Sequence, residues 1–230
     1  MKLSIIIPVH NEAKFVTETL KRVYQISLNV DKEVIVIDDG STDGTGEILA
    51  DLRGKYNFTL IRHATNLGKG MAFRTGFNIA TGDFVIIQDA DLEYHPKDIP
   101  KLLERIDDDN SVAVYGDRGQ SKWPKFGYHY VLGARFLTIV FNILYGQKIK
   151  DLYTCYKLFR PNDIIKMNLQ STGFEFEAEV SCQFVRNGGK ILEVPIDYFP
   201  RDKKQGKHIG LKDAFWGLFT IIKQRFNISK

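Results

Sequence analysis

Along the first half of the chain, short runs of Ile, Val and Phe alternate with stretches in which apolar residues recur every three or four positions. The runs at 3–8, 33–37, 58–62, 83–88 and 111–116 read as buried strands. Between them, residues 12–26 place Phe15, Val16, Thr19, Leu20 and Val23 on one face, and 43–54 and 68–80 open after Gly, Thr and Asp turn signals, so each reads as a helix. Strand and helix in this order predict an α/β fold, a single doubly wound, mostly parallel sheet whose ligand crevice lies beyond the carboxyl ends of the strands. The second half changes texture. A long amphipathic segment at 126–146 precedes a short strand near 156–160, a helix near 174–188, a strand at 190–194, a loop at 200–208 and a final helix at about 209–226. No linker, repeat or low-complexity tract divides the chain, so one domain is expected over 1–230.

Composition adds little beyond this. With 43% hydrophobic and 26% charged residues the chain is an ordinary globular sequence, and a net charge of +4 without a long Lys/Arg block gives no footprint of nucleic-acid binding. The charge is unevenly placed: RDKKQGKHIGLK from Arg201 is basic, whereas 83–109 is acidic. Cys155 and Cys182 form neither a disulfide framework nor a zinc pattern, which points to a reducing, cytosolic setting. The N-terminal run ending at Pro8 is too short for a signal peptide, and the apolar stretch from Val131 to Tyr145 falls short of the ~20 residues that span a bilayer.

The polar residues that matter fall at predicted strand ends. VIVIDDGSTDGT runs a strand into Asp38 and Asp39, whose carboxylates suit a base N–H or ribose hydroxyls, while Thr42 and Asp43 read as helix caps. PVHNE supplies Pro8, Val9, Asn11 and Glu12 to the same edge, although Asn11 is equally a helix N-cap. NLGKG lacks the spacing of a phosphate-binding P-loop, but Lys69 beside a helix start can reach a diphosphate. VIIQDADLEYHP ends a strand in the alternate acids Asp89, Asp91 and Glu93, of which Asp89 and Asp91, across a tight turn, are hard oxygen ligands of the kind Mg²⁺ or Mn²⁺ takes together with substrate phosphates, or else solvated turn acids.

In this order, PVHNE, VIDDGSTDGT, NLGKG and DADLEYHP resemble the inverting glycosyltransferases of family 2, which have the Rossmann-like GT-A fold. YGDR, DLYTCYKLFR, GFEFEAEV and VPIDYFPRDKKQGKHIGLKDA look like its polyprenyl-phosphate branch, the dolichyl-phosphate mannose and glucose synthases. The resemblance implies a nucleotide-sugar half at 1–116, an acceptor half with a lid loop at 117–208 and a C-terminal amphipathic helix at 209–230. It assigns the nucleotide to Pro8, Val9, Asn11, Glu12, Asp38, Asp39, Lys69, Asp89, Ala90 and Lys207, and the metal, Mg²⁺ or Mn²⁺, to Asp89, Asp91 and Glu93, while His208 reads either as a neighbour of that loop's cations or as a solvated residue. Glu93 departs from the Gln common in the mannose synthases. Asp91, Arg118 and Arg201 are the expected catalytic groups. Arg118 and Arg135 are expected at the acceptor phosphate, although Arg135 also reads as a snorkelling residue, and Glu177 and Glu179 near the donor sugar, although both equally read as acids favoured at a helix start.

The implied reaction moves a hexose from UDP-glucose or GDP-mannose to a polyprenyl phosphate. A family 2 enzyme with a saccharide acceptor would instead need Glu177, Glu179 or Asp151 as a base, and a noncatalytic nucleotide-sugar-binding scaffold would keep the fold alone. A lipid acceptor implies a peripheral position at the cytoplasmic face of a membrane, with a membrane-anchoring subunit as a further partner. The segment around 126–146 and LKDAFWGLFTIIKQRF, with its basic flanks, read either as interfacial helices or as core.

Overall fold

The computed structural model describes residues 1–106, 111–119, 128–201 and 211–226, with side chains from Val131 and Ala214 onward in the two helices that open the last two stretches. The first half alternates β1 (Lys2–Val9), α1 (Val16–Gln25), β2 (Asp31–Asp38), α2 (Thr45–Leu52), β3 (Thr59–Arg62), α3 (Lys69–Phe77) and β4 (Phe84–Ile87). Then follow a 3₁₀ turn at Pro96–Asp98, α4 (Ile99–Arg105) and β5 (Val112–Asp117). The second half adds α5 (Tyr128–Tyr145), β6 (Lys157–Phe159), α6 (Pro161–Ile165), α7 (Phe176–Arg186), β7 (Lys190–Pro195) and α8 (Leu211–Phe226). The hydrophobic pattern does not predict α4 and α6, because seven and five residues are too few to display a helical period.

One seven-stranded sheet has the order β3-β2-β1-β4-β6-β5-β7. Six strands run the same way. Only β6 is reversed, antiparallel to β4 on one side and β5 on the other. Residues with no polar face fill the centre: Ile5, Ile6 and Ile7 of β1 and Ile86 of β4 are fully buried, as expected of strands covered on both sides. The chain leaves β1 toward β2 and β3, then returns across to β4. The carboxyl ends of β1 and β4 therefore border the switch in strand order, where open α/β sheets bind ligands.

At the opposite edge, Glu33 of β2 staples three segments. It accepts from Thr81 N–H at 2.6 Å, from Thr81 Oγ1 at 2.9 Å and from the Ser4 hydroxyl, and it pairs with Lys2 Nζ at 2.8 Å. Partial burial alone would raise its pKa, but these donors overcome that and lower it from 4.5 to about 2. A carboxylate depressed by folding stabilises the native state above its unfolded pKa and loses that contribution as pH falls through the folded one. Glu33→Gln is therefore expected to lower the melting temperature at neutral pH, with the gap to the parent protein closing between about pH 4.5 and 2. Thermal unfolding followed across that range measures it; a gap independent of pH would contradict the staple.

Candidate active site

Two loops at the strand ends are first locked to each other. Asn11, at a φ of +55°, accepts the Thr42 N–H through its side-chain oxygen at 2.8 Å, and its own N–H donates to Ser41 Oγ at 3.0 Å. Asn11 is thus a loop crosslink and not a helix cap, since α1 begins only at Val16. The expected capping by Thr42 and Asp43 is also corrected. Gly44, at a φ of +92°, holds the cap position of α2, and Asp43 serves the Thr45 N–H from one residue earlier while accepting from Ala13 N–H. Pro8 and Val9 end β1 beside Asp38.

Asp38 and Asp39 are both buried, and they do different things. Asp38 accepts the Ser41 N–H at 3.0 Å and meets Arg62 Nε at 3.1 Å. Asp39 grips the start of α3, accepting from the Leu67 and Gly68 N–H groups at 2.9 and 2.8 Å, and contacts His63 Nδ1 at 2.6 Å. The Gly70 N–H donates to the Thr172 carbonyl at 2.9 Å. The N–H groups of Leu67, Gly68 and Gly70 at this helix start are therefore engaged by the protein. Its glycines are required by packing: a Cβ on Gly70 would sit 2.2 Å from the Ser171 carbonyl oxygen.

Beyond β4, the three alternate carboxylates separate. Leu92 takes a φ of +64°, which breaks the strand alternation that would keep Asp89, Asp91 and Glu93 on one side. Asp89 pairs with Lys69 Nζ at 2.9 Å. Asp91 receives the Glu93 N–H at 3.0 Å and Arg201 Nη2 at 3.1 Å. The Glu93 carboxylate instead accepts from the Tyr198 hydroxyl and the Arg201 N–H, each at 2.7 Å. Among the described residues no three His, Cys, Asp or Glu side chains converge as a metal-holding group, so the expected set of Asp89, Asp91 and Glu93 is not assembled as one. Ala90, between the two aspartates, is buried, and its carbonyl accepts from Thr19 Oγ1.

Arg201 joins the strand ends: its Nη1 lies 3.2 Å from both oxygens of Glu12, and its guanidinium stacks over Phe15. Negative charge nevertheless remains in excess. Burial, then the charges of Asp89 and Glu93, push the Asp91 pKa up to about 7 against the pull of Arg201, and burial also raises Glu12. A divalent cation beside Asp89 and Asp91 would relieve that excess, and two carboxylates completed by phosphate oxygens are what Mg²⁺ and Mn²⁺ take.

Under the turn runs a buried ionic chain that the sequence reading did not find. Lys69 Nζ also meets Glu177 Oε1 at 3.0 Å, and Glu177 is paired in turn with Lys157 of β6. Despite burial, the two lysines keep the Glu177 pKa low, and the carboxylates of Asp89 and Glu177 keep Lys69 charged. The one available signal was Lys157 itself, a cation inside the apolar run CYKLF. Of the other expected residues, Glu179 accepts the Gln170 and Ser171 N–H groups and bonds to Gln224 of α8, which makes it a loop anchor. Arg118 forms a two-pronged bond with Asp151 at 2.6 and 2.7 Å, beneath the Tyr198 ring. Arg135 is half-buried on α5, and among the described residues no hydrogen bond or ion pair links it to the acidic cluster. Lys207 and His208 lie outside the described residues.

The seven-stranded sheet with β6 reversed is shared with solved glycosyltransferase structures and is the GT-A fold. The chain belongs to glycosyl transferase family 2, whose model matches residues 4–167. It is 30% identical over 213 residues to the dolichol-phosphate mannosyltransferase of Pyrococcus furiosus, an alignment that takes in 90% of this chain and 59% of that protein. It is 28% identical over 207 residues to the low-salt glycan biosynthesis hexosyltransferase Agl6 of Haloferax volcanii, covering 87% of this chain and 48% of the relative. This chain thus spans roughly half to three fifths of these two relatives. Glucosyl-3-phosphoglycerate synthase of Mycobacterium tuberculosis in complex with UDP superposes with a TM-score of 0.76 at 20% identity, over 100% of this chain and 81% of that one. The same synthase has also been solved with Mn²⁺ or Mg²⁺ and UDP.

Breaking a buried ion pair on one side leaves a stranded charge, which costs about 3–5 kcal/mol. Lys157→Met leaves Glu177 with Lys69 alone and is expected to lose stability up to about that amount, and the double change Lys157→Met with Glu177→Met should recover much of it. Chemical denaturation of the two variants and the parent measures this; a double variant as unstable as Lys157→Met would contradict it.

Proposed function

We propose that this glycosyltransferase moves a hexose, with inversion, from UDP-glucose or GDP-mannose to a polyprenyl or dolichyl phosphate. A phosphate oxygen of the lipid attacks the anomeric carbon, the bond from that carbon to the diphosphate oxygen breaks, and the nucleoside diphosphate leaves with the electron pair. The nucleophile is already an anion, so no side chain has to take its proton. That suits the site, because Glu177, Glu179 and Asp151, the carboxylates available as a base for a hydroxyl acceptor, are held by lysines, backbone N–H groups and Arg118 respectively. In this reading Glu12 and Asp38 hold the nucleoside, and Asp89 and Asp91 hold a divalent cation. The ion would neutralise charge on the departing diphosphate. Arg201, fixed across Glu12 and Asp91, adds a cation beside the same leaving group.

One observation carries the lipid acceptor. Helices α5 and α8 pack together, yet each turns an apolar stripe outward: Leu132, Phe136, Ile139 and Ile143 on α5, and Phe215, Trp216, Phe219, Ile222 and Phe226 on α8. The other side of α8 is core, with Gly217, Thr220 and Ile221 buried and the Ile221 carbonyl accepting from the Tyr145 hydroxyl. One face of this helix is thus core, and its outward face supports the interfacial reading. Arg135, Lys223 and Arg225 are the charged side chains described on the two helices, which suits an anionic membrane surface. Among the described residues no helix is long and apolar enough to cross a membrane, so contact at the interface is the mode that fits. The name of the Pyrococcus relative agrees with a lipid acceptor.

Labelled UDP-glucose and GDP-mannose, offered with polyprenyl phosphate in vesicles, are expected to give an organic-phase product that chelation abolishes and Asp91→Ala lowers at least ~100-fold. Transfer that survives chelator and substitution alike would refute the metal assignment. Product formed only on a saccharide, with none in the organic phase, would refute the lipid acceptor.

A further inference from the structure

Glu93 sits two residues from Asp91 in the acidic turn and has the chemistry of a metal ligand, but the structure uses it otherwise. Its Oε2 accepts from the Tyr198 hydroxyl at 2.7 Å, and its Oε1 accepts from the Arg201 N–H at 2.7 Å. Its backbone carbonyl accepts from the Phe199 N–H at 2.9 Å, and its own N–H donates to Asp91 Oδ1 at 3.0 Å. Tyr94, the next residue, bridges to Tyr198 in an antiparallel pairing, with the two rings 5.2 Å apart. A single residue of the turn therefore holds 198–201 at three points, the backbone at Phe199 and Arg201 and the side chain at Tyr198.

We infer that Glu93 is a positioning residue for Arg201. The backbone of Arg201 is anchored on the Glu93 carboxylate, and from that anchor the guanidinium reaches the carboxylates of Glu12 and Asp91 at 3.1–3.2 Å. Charge requires such an anchor. An arginine held only by its own ion pairs would be free to follow either carboxylate, whereas Arg201 is held at both ends and bridges β1 to the turn after β4. The same carboxylate reaches further, because the Tyr198 ring it holds carries the Arg118 guanidinium on its face at 5.0 Å, and Arg118 is paired with Asp151. Glu93 thus ties the cation on the donor side and the Arg118–Asp151 pair to one turn. The two donors turn both oxygens of Glu93 toward the 198–201 segment. A glutamate accepts from both the Tyr198 hydroxyl and the Arg201 N–H with a charged group, whereas a glutamine would keep one acceptor oxygen for Arg201 and force the Tyr198 hydroxyl to turn from donor to acceptor.

The role of Arg201 at the leaving diphosphate rests on the function proposed above, so the experiment separates the two. Hydrogen exchange by mass spectrometry on the protein without ligands should show peptides covering 196–201 exchanging about tenfold faster in Glu93→Gln than in the parent, and faster also in Tyr198→Phe, where the Glu93 carboxylate is intact. Calorimetry with UDP or GDP and Mn²⁺ should then show Glu93→Gln weakening nucleotide binding about tenfold in the parent background and hardly at all in Arg201→Ala, because the effect passes through that arginine. Unchanged exchange in Glu93→Gln would overturn the proposal. So would an equal loss of nucleotide affinity with and without Arg201, or a loss of Mn²⁺ affinity in Glu93→Gln that Tyr198→Phe does not share, since either marks Glu93 as a ligand. If the parent binds neither nucleotide, the donor reading fails by itself, and the exchange rates still decide whether Glu93 holds Arg201.

Discussion

The arrangement depends on keeping several like charges together at one edge of a sheet. Glu12, Asp89, Asp91 and Glu93 project from the ends of neighbouring strands, partly out of water, where mutual repulsion is weakly screened. Two cations make this tolerable, each shared between carboxylates from different elements: Arg201 between Glu12 and Asp91, and Lys69 between Asp89 and Glu177. Every one of these pairs joins segments remote in sequence. The ion pairs that balance this acidic edge are therefore also what hold α3, α7, β6 and the segment after β7 against the turn that follows β4. Removing a charge here disturbs position as well as potential.

The fold was legible because its evidence is local. Strands buried on both faces are unbroken apolar runs, as in SIIIPV and VIVID, and the alternation with amphipathic helices follows directly. The reversal of β6 was not legible. Three residues carry no direction, and their orientation is set by pairing with β4 and β5 on both sides. The strand-end carboxylates of the site could be found by the same logic, since a strand's last polar residues fall at the ligand edge. Their partners could not. Nothing near Asp39 in sequence says that the backbone of Leu67 and Gly68 will occupy it, and nothing near Glu93 says that Tyr198 and Arg201 will. Side chains of the same type at similar positions thus divide into those left for a ligand and those consumed by the protein, and that division depends on long-range contacts.

The reversed strand has a consequence for how this domain can vary. In the six parallel strands, the segments that follow the carboxyl ends face the ligand and are the natural places for change. In β6 it is the segment before the strand that arrives at the ligand edge. Asp151 there holds Arg118, Cys155 lies 3.4 Å from Lys69, and the hydroxyl of Tyr156 reaches Gln88, the residue that follows β4. The segment after β6 emerges at the far edge, where Arg160 stacks on Phe84 at the very start of β4. An insertion after Phe159 would lengthen a connection remote from the chemistry, whereas one of equal size before Lys157 would displace the floor of the site. Sequence length in this part of the domain is thus free to drift on one side of a three-residue strand and constrained on the other.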